Sequence, residues 1–175
     1  LKYFRRLDSI TLNIFFDSTN QKLYKKFGWL LQFLKVKRLI IKEPLTLVSE
    51  KQIRHFYSKL NRLGSNLECL KISNCTPFGG PIEKYTPYRF VRNSRNLKEL
   101  NLNFIGLGLK NECFNRIVAS LKSLKQLKAL HLNLSFNDIF DITRIEQFKD
   151  CNLHKLTLNF SHCPLNQNSI SSLIK

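Results

Sequence analysis

Six copies of one short leucine-spaced pattern recur along the chain, and this repetition restricts the possible folds more than any other feature. Each copy has the form L-x-x-L-x-L, in which valine or isoleucine can replace leucine. The copies start 29, 31, 30, 30 and 26 residues apart, at Leu7, Val36, Leu67, Leu97, Leu127 and Leu153. Recurrence at this spacing predicts a solenoid in which every unit contributes one short strand and packs on its neighbours.

Amphipathic segments of helical period separate these strands. Apolar residues three and four positions apart predict helices over 19–34, 49–63, 110–125 and 141–149. The segment 81–95 is interrupted by Pro87, so we expect a shorter or broken helix there. The fold class predicted is therefore α/β. Because a helix is wider than a strand, about six such units should bend into a horseshoe with parallel strands on its concave face and helices on its convex face.

The repeat units also carry a family resemblance. Residues 67–75 read L-x-x-L-x-I-x-x-C, and a strand form L-x-L-N followed by an apolar residue begins at Leu100, Leu130 and Leu156. On these residues the chain resembles leucine-rich repeat proteins of the ribonuclease-inhibitor-like class, and the repeat style is similar to that of ciliate leucine-rich repeat families. The resemblance implies one leucine-rich repeat domain over 1–175, which we expect to be a piece of a longer array, acting as a scaffold.

One position after each strand is predicted to have a structural role. It holds Asn137 in the fifth copy and Cys163 in the sixth, whereas Asp17 and Leu107 occupy it in two earlier copies. The strand ends in a turn at this point, and buried backbone groups in such a turn need hydrogen-bond partners. We therefore expect Asn137 and Cys163 to satisfy backbone groups and to take no part in catalysis.

Catalytic and metal-binding patterns are not evident in the sequence. Cys151, His154, His162 and Cys163 could be interpreted as zinc ligands, but the adjacent His-Cys pair is poor ligand spacing. The chain has no nucleophile motif, phosphate loop or recognisable acid/base pair. We therefore predict a protein that is not an enzyme and needs neither a metal nor a cofactor.

Cysteine use and hydropathy bear on location. Five cysteines without framework spacing favour a reducing, intracellular setting, and we expect the protein in the cytoplasm. The most apolar stretch, 27–41, is interrupted by three basic residues, so we expect no membrane span.

The residues between the leucines should point out of the concave face and form the binding surface. In the six strand patterns they include seven basic and three acidic residues, which leaves most of the net charge of +17 elsewhere. A nucleic-acid groove would concentrate positive charge and add aromatic side chains, and neither is evident at these positions. We therefore predict a protein partner, bound by Lys71, Asn101, Asn103, His131, Asn133, Thr157 and Asn159.

A second interpretation uses the charge on the convex side. The exposed side of the first predicted helix and a nearby arginine form a basic patch with one tryptophan: Lys22, Lys25, Lys26, Trp29 and Arg54. Such a patch could bind RNA or an anionic lipid surface. The alternative is a solvated helix face on which Trp29 packs against a neighbouring unit or a preceding repeat.

Overall fold

Six parallel strands, one from each copy of the repeated pattern, form an open sheet. A computed structural model describes residues 7–13, 36–43, 58, 66–75 and 88–174 of the chain. The strands are β1 (Ser9–Asn13), β2 (Arg38–Glu43), β3 (Cys69–Cys75), β4 (Glu99–Ile105), β5 (Ala129–Asn133) and β6 (Lys155–Asn159). Their order in the sheet is their order in the sequence. The fold is α/β, and this arrangement is compatible with a solenoid.

The register of the sheet places equivalent residues of the copies side by side. Leu70 pairs with Leu100, Leu100 with Leu130, and Leu130 with Leu156. The same alignment extends to β1 and β2, where Ile10 pairs with Leu39. A shift of one residue would move the leucines to the other face of the sheet, so the apolar pattern specifies this register.

One face of the sheet forms the hydrophobic core. Along β4, Leu100, Leu102 and Phe104 are buried while the residues between them are half-buried, which is the alternation expected of a strand with one covered face. The buried leucines of neighbouring strands and the apolar residues that follow them belong to one continuous cluster. This cluster includes Phe114 and Ile117 of the following helix, so sheet and helix are packed on a common core.

The helices of the described residues follow the strands. They are α1 (Tyr88–Asn93), α2 (Asn111–Leu121) and α3 (Gln167–Ile174), together with a 3₁₀ helix over Thr143–Asp150. The prediction of a helix over 110–125 is confirmed by α2, which ends earlier. Of the segment 81–95, α1 lies in the described part, and residues 81–87 with Pro87 lie outside it. The helices predicted over 19–34 and 49–63 lie outside the described residues, apart from Ser58.

The segment 141–149 differs in type from the prediction. The apolar residues that give this segment its helical period, Ile142, Ile145 and Phe148, are all buried. Its conformation, however, is mainly 3₁₀. The repeat that contains it is the shortest, with 26 residues between Leu127 and Leu153. A 3₁₀ helix rises about 2.0 Å per residue instead of 1.5 Å, so fewer residues cover the same distance.

Candidate functional site

The face of the sheet opposite the core carries two rows of polar side chains, and we call it the polar face. The middle row consists of Lys71, Asn101, His131 and Thr157, aligned across β3 to β6. The asparagine row lies two residues further along each strand and consists of Ser73, Asn103, Asn133 and Asn159. All seven residues predicted from the sequence to bind a partner therefore lie in these two rows.

A groove of about 350 Å³ crosses the polar face. Its lining consists of Ser73, Asn101, Asn103, His131, Leu132, Asn133, Thr157 and Asn159. Six of the seven predicted residues thus line one depression, and Ser73 and Leu132 were not predicted. The polar groups of the lining are amides, hydroxyls and an imidazole, which can donate and accept hydrogen bonds without presenting a carboxylate or an ammonium group.

Lys71 is the predicted residue outside this lining, and an ion pair explains its different role. Its ammonium nitrogen lies 2.9 Å from a carboxylate oxygen of Glu99 on the neighbouring strand. The thiol of Cys69 donates to the other oxygen of Glu99 over 3.4 Å. The hydrogen bond from Lys71 lowers the pKa of Glu99, against the opposing effect of partial burial. Glu99 therefore stays ionised, and the pair neutralises one lysine of the polar face.

A second ion pair joins the ends of the same two strands. The ammonium group of Lys98 lies 2.8 Å from Glu68, and both side chains are exposed. The hydrogen bond and the charge of Lys98 lower the pKa of Glu68. Two of the seven basic residues of this face are thus paired with two of its three acidic residues. The seven basic and three acidic residues leave this face a net charge of +4 in a chain whose net charge is +17.

Two members of the asparagine row also stabilise the turns that follow their strands. The side-chain oxygen of Asn133 accepts hydrogen bonds from the backbone nitrogen and the hydroxyl of Ser135, at 3.2 and 2.9 Å. Asn159 accepts the equivalent bonds from Ser161, at 2.9 and 2.7 Å. These local bonds hold each amide in one orientation. Asn133 and Asn159 are therefore both groove residues and turn residues.

Asn103 lacks this local partner. Ile105 occupies the position of Ser135 and Ser161 in its copy and has no hydroxyl. The side-chain oxygen of Asn103 is buried and has no hydrogen-bond partner among the described residues. Buried acceptors without a donor are uncommon and unfavourable. The side-chain oxygen of Asn103 therefore differs from those of Asn133 and Asn159, because it makes no hydrogen bond to the turn that follows its strand.

Asn137 connects two neighbouring units, which confirms the structural role predicted for its position. Its side-chain oxygen accepts hydrogen bonds from the backbone nitrogens of Leu107 and Leu109, at 3.0 and 2.9 Å. Its nitrogen donates to the carbonyl oxygens of Phe104 and Leu134, each at 2.8 Å. In the next copy the thiol of Cys163 donates to the carbonyl oxygen of Leu134 over 3.1 Å. Burial raises the pKa of that thiol.

An exposed aromatic pair beside the polar face was missed by the sequence prediction. Phe136 and His162 follow β5 and β6 in the left-handed backbone region, with φ of 59° and 60°. Their rings stack with centroids 4.1 Å apart and planes inclined by 16°. The prediction considered only positions between the strand leucines, and these residues lie beyond them. Their equal placement after Asn-x-Ser in two successive copies is the signal that could have revealed them.

The described residues do not test the basic patch, and they engage two of the residues considered as zinc ligands in other contacts. The basic patch of Lys22, Lys25, Lys26, Trp29 and Arg54 lies outside them. Within the described ranges, no group of three or more histidines, cysteines and acidic residues could hold a metal ion. Of the proposed zinc ligands, His162 is stacked on Phe136 and Cys163 donates to a backbone carbonyl.

Comparisons with known proteins do not assign the chain to a family. No family model matches the sequence, and no curated protein matches it either. Among the described residues, no helix combines the length and the apolar character needed to cross a membrane.

Proposed function

We propose that the chain is a leucine-rich repeat domain of the ribonuclease-inhibitor-like class that binds another protein through its strand face and catalyses no reaction. In this proposal the polar face is the concave surface of a horseshoe of about six repeats, and the helices lie on the convex surface. The six parallel strands in uniform register support that arrangement, because each copy of the pattern contributes one strand in sequence order.

The observation that carries the functional proposal is the groove across the middle and asparagine rows. Its polar lining is made of amides, hydroxyls and an imidazole that both donate and accept hydrogen bonds, and Lys98 and Lys71 are paired with Glu68 and Glu99. Protein interfaces commonly combine such hydrogen bonds with few unpaired charges at their centre. A surface for nucleic acid would instead present unpaired cations along a track.

The test is a double substitution in the middle row. Asn101→Ala with His131→Ala removes two half-buried groove side chains that make no side-chain hydrogen bond within the described residues. We expect loss of a protein partner that the full-length protein captures from native extract at near-physiological salt and that resists nuclease. With the partner purified, we expect the affinity to fall at least about tenfold, the effect of losing roughly 1.4 kcal/mol of contact energy.

The matched control is Asn152→Ala with Asn168→Ala, two exposed asparagines outside the polar face. This variant should bind the partner like the natural protein. Equal binding by the groove variant and the natural protein would show that the partner uses another surface. Recovery of nucleic acid alone, lost on nuclease digestion, would favour the second candidate function, a basic module that associates with RNA or anionic lipid through the convex charged face. The net charge of +17 favours that candidate.

A further inference from the structure

The asparagine row presents its amide groups in one chemical orientation. In Asn133 and in Asn159, the side-chain oxygen accepts the backbone N–H and the hydroxyl of the serine two residues later. A backbone N–H only donates, so the end of the amide that meets it is the oxygen. The turn therefore fixes which end of each amide is the oxygen and leaves the NH₂ group as the end that the turn does not use.

The NH₂ groups of this row are open donors. Those of Asn133 and Asn159 donate no hydrogen bond to a described residue, and neither nitrogen is buried. Asn103 has the same polarity, because its oxygen is its buried amide atom and its nitrogen is not buried. All three residues line the groove, on neighbouring strands about 4.8 Å apart. The groove thus carries three successive donors whose oxygens are bonded to turns or buried.

The charges around this row favour an anion. The carboxylates of Glu68 and Glu99 are paired with lysines, so their negative charge is compensated. Beyond Ser73 the next position of the row, in β2, holds Lys42, which is exposed and forms no ion pair within the described residues. The face as a whole has a net charge of +4. A negative group in the groove is therefore attracted by its surroundings.

We propose that the groove binds carboxylate side chains, supplied in the proposed function by an acidic segment of the protein partner, and that Asn103, Asn133 and Asn159 are the donors. An ionised carboxylate accepts hydrogen bonds and donates none, which matches a row of donors. A carboxamide would bring N–H groups of its own against these NH₂ groups. The proposal rests on the proposed function, because it names the chemistry that the partner brings to the same groove.

Phosphate is the other anion that only accepts hydrogen bonds. It carries up to two negative charges, and proteins bind it chiefly with arginine and lysine side chains. The described residues that line the groove include neither. A singly charged carboxylate therefore fits the neutral amide donors better than a phosphate group does.

The first experiment is an NMR titration of the full chain with acetyl-Gly-Glu-Gly-Glu-Gly-amide, followed in proton–nitrogen correlation spectra. The side-chain NH₂ protons of Asn103, Asn133 and Asn159 should move downfield in a saturable manner, because they form hydrogen bonds to the carboxylates. Single Asn→Asp variants remove these resonances and so assign them. The peptide with glutamine in place of glutamate should bind at least about tenfold more weakly, since it forms no charge-assisted hydrogen bond.

Asn133→Asp with Asn159→Asp provides the sharper variant. Each aspartate keeps an oxygen for the two serine hydrogen bonds and replaces the NH₂ donor by a second, negatively charged oxygen. Binding of the glutamate peptide should weaken at least about tenfold. The matched control is Asn152→Asp with Asn168→Asp, which makes the same change in net charge at two exposed asparagines outside the polar face. It should bind the peptide like the natural chain, because distant exposed charges are screened at physiological salt.

Three results would overturn the carboxylate site. Equal weakening by the two aspartate variants would show that the peptide follows only the overall charge. Absence of saturable shifts at the three amides of the natural chain would do the same, and this result does not depend on the folding of any variant. Larger shifts with a peptide that carries phosphoserine in place of glutamate would identify a phosphate site instead.

The results also separate this proposal from the proposed function. If Asn101→Ala with His131→Ala loses the partner while the glutamate peptide leaves the three amides unshifted, the carboxylate site is overturned and the groove remains the partner's surface. If the amides shift as expected while neither groove variant affects the partner, the proposed interface is overturned and the carboxylate site stands.

Discussion

At the scale of single residues, the clearest structural dependence is on the amide of Asn137. This side chain is buried, and its oxygen and nitrogen bond to backbone groups of its own unit and of the preceding one. Its partners in the preceding unit, Phe104, Leu107 and Leu109, lie on both sides of Gly106, so the same amide holds that turn. Loss of these bonds would leave several buried backbone groups without partners.

Asn137→Ala should therefore lower the free energy of unfolding by at least about 3 kcal/mol, because each buried group left unpaired costs about 1–3 kcal/mol. Urea unfolding followed by circular dichroism measures this change. Asn103→Ala is the natural comparison, since its buried oxygen has no partner to lose, and its stability should be unchanged or slightly higher. Similar destabilisation by the two substitutions would contradict the distinction between a turn asparagine and a groove asparagine.

Residue-level prediction from the sequence succeeded where periodicity decides side-chain direction. Asn101 and His131 stand between strand leucines, so alternation alone places them on the polar face. Phe136 and His162 follow the strands, where the backbone turns into the left-handed region and alternation no longer applies. The ion pair of Lys71 with Glu99 was not predicted either, because it depends on which residues of two neighbouring strands lie within reach.

At the scale of elements, the strand leucines illustrate how burial depends on position in the sheet. Leu130 lies in the middle of the row and is fully buried, whereas Leu156 occupies the same position in β6 and is 45% exposed. β6 is the last strand of the sheet, and no strand of the described residues pairs with its outer edge. The two leucines occupy the same position of the repeated pattern, and their burial differs because only Leu130 has a paired strand on both sides.

Leu130→Ala should lower the free energy of unfolding by about 2–5 kcal/mol, because a large buried side chain is truncated and a cavity remains. Leu156→Ala should lower it by less than about half as much, since much of that side chain already contacts solvent. Thermal unfolding of both variants under one condition measures the comparison. Equal losses would indicate that Leu156 is covered by residues outside the described part of the chain.

Helices were less predictable than strands. The apolar stripe of 110–125 correctly indicated α2, and burial of Phe114, Ile117 and Leu121 follows from that stripe. The apolar stripe of 141–149 correctly indicated that Ile145 and Phe148 are buried, but it did not indicate the 3₁₀ conformation. Spacing of apolar residues reports which side chains face inward. It does not report how far a short connection must stretch between two strands.

At the scale of the whole molecule, the net charge of +17 is distributed unevenly. The strand positions of the polar face carry a net charge of +4, and two of their lysines are paired with Glu68 and Glu99. Most of the positive charge therefore lies away from the groove. A polyanion attracted by the whole molecule should consequently bind outside the surface that we assign to the protein partner.

We expect binding of a single-stranded oligonucleotide to weaken steeply with sodium chloride, with a slope in log affinity of roughly 0.7 per phosphate contact. Fluorescence anisotropy across a salt series measures this slope. Lys22→Gln with Lys25→Gln and Lys26→Gln should reduce it more than Lys71→Gln with Lys98→Gln and Lys128→Gln, which removes the same charge from the strand face. A larger reduction by the second set would place the polyanion in the groove and favour the alternative function.

The uniform register of the sheet has a consequence for how such a surface can change over generations. Each strand contributes one residue to each row. Duplication of a segment such as 97–126 would therefore insert one further strand, about 4.8 Å wide, and add one residue to every row without altering the other strands. The polar face is thus modular: its length can grow by copying of a unit, and its chemistry can diverge one strand at a time. Gly106 and Phe136 would then be alternative states of one duplicated position.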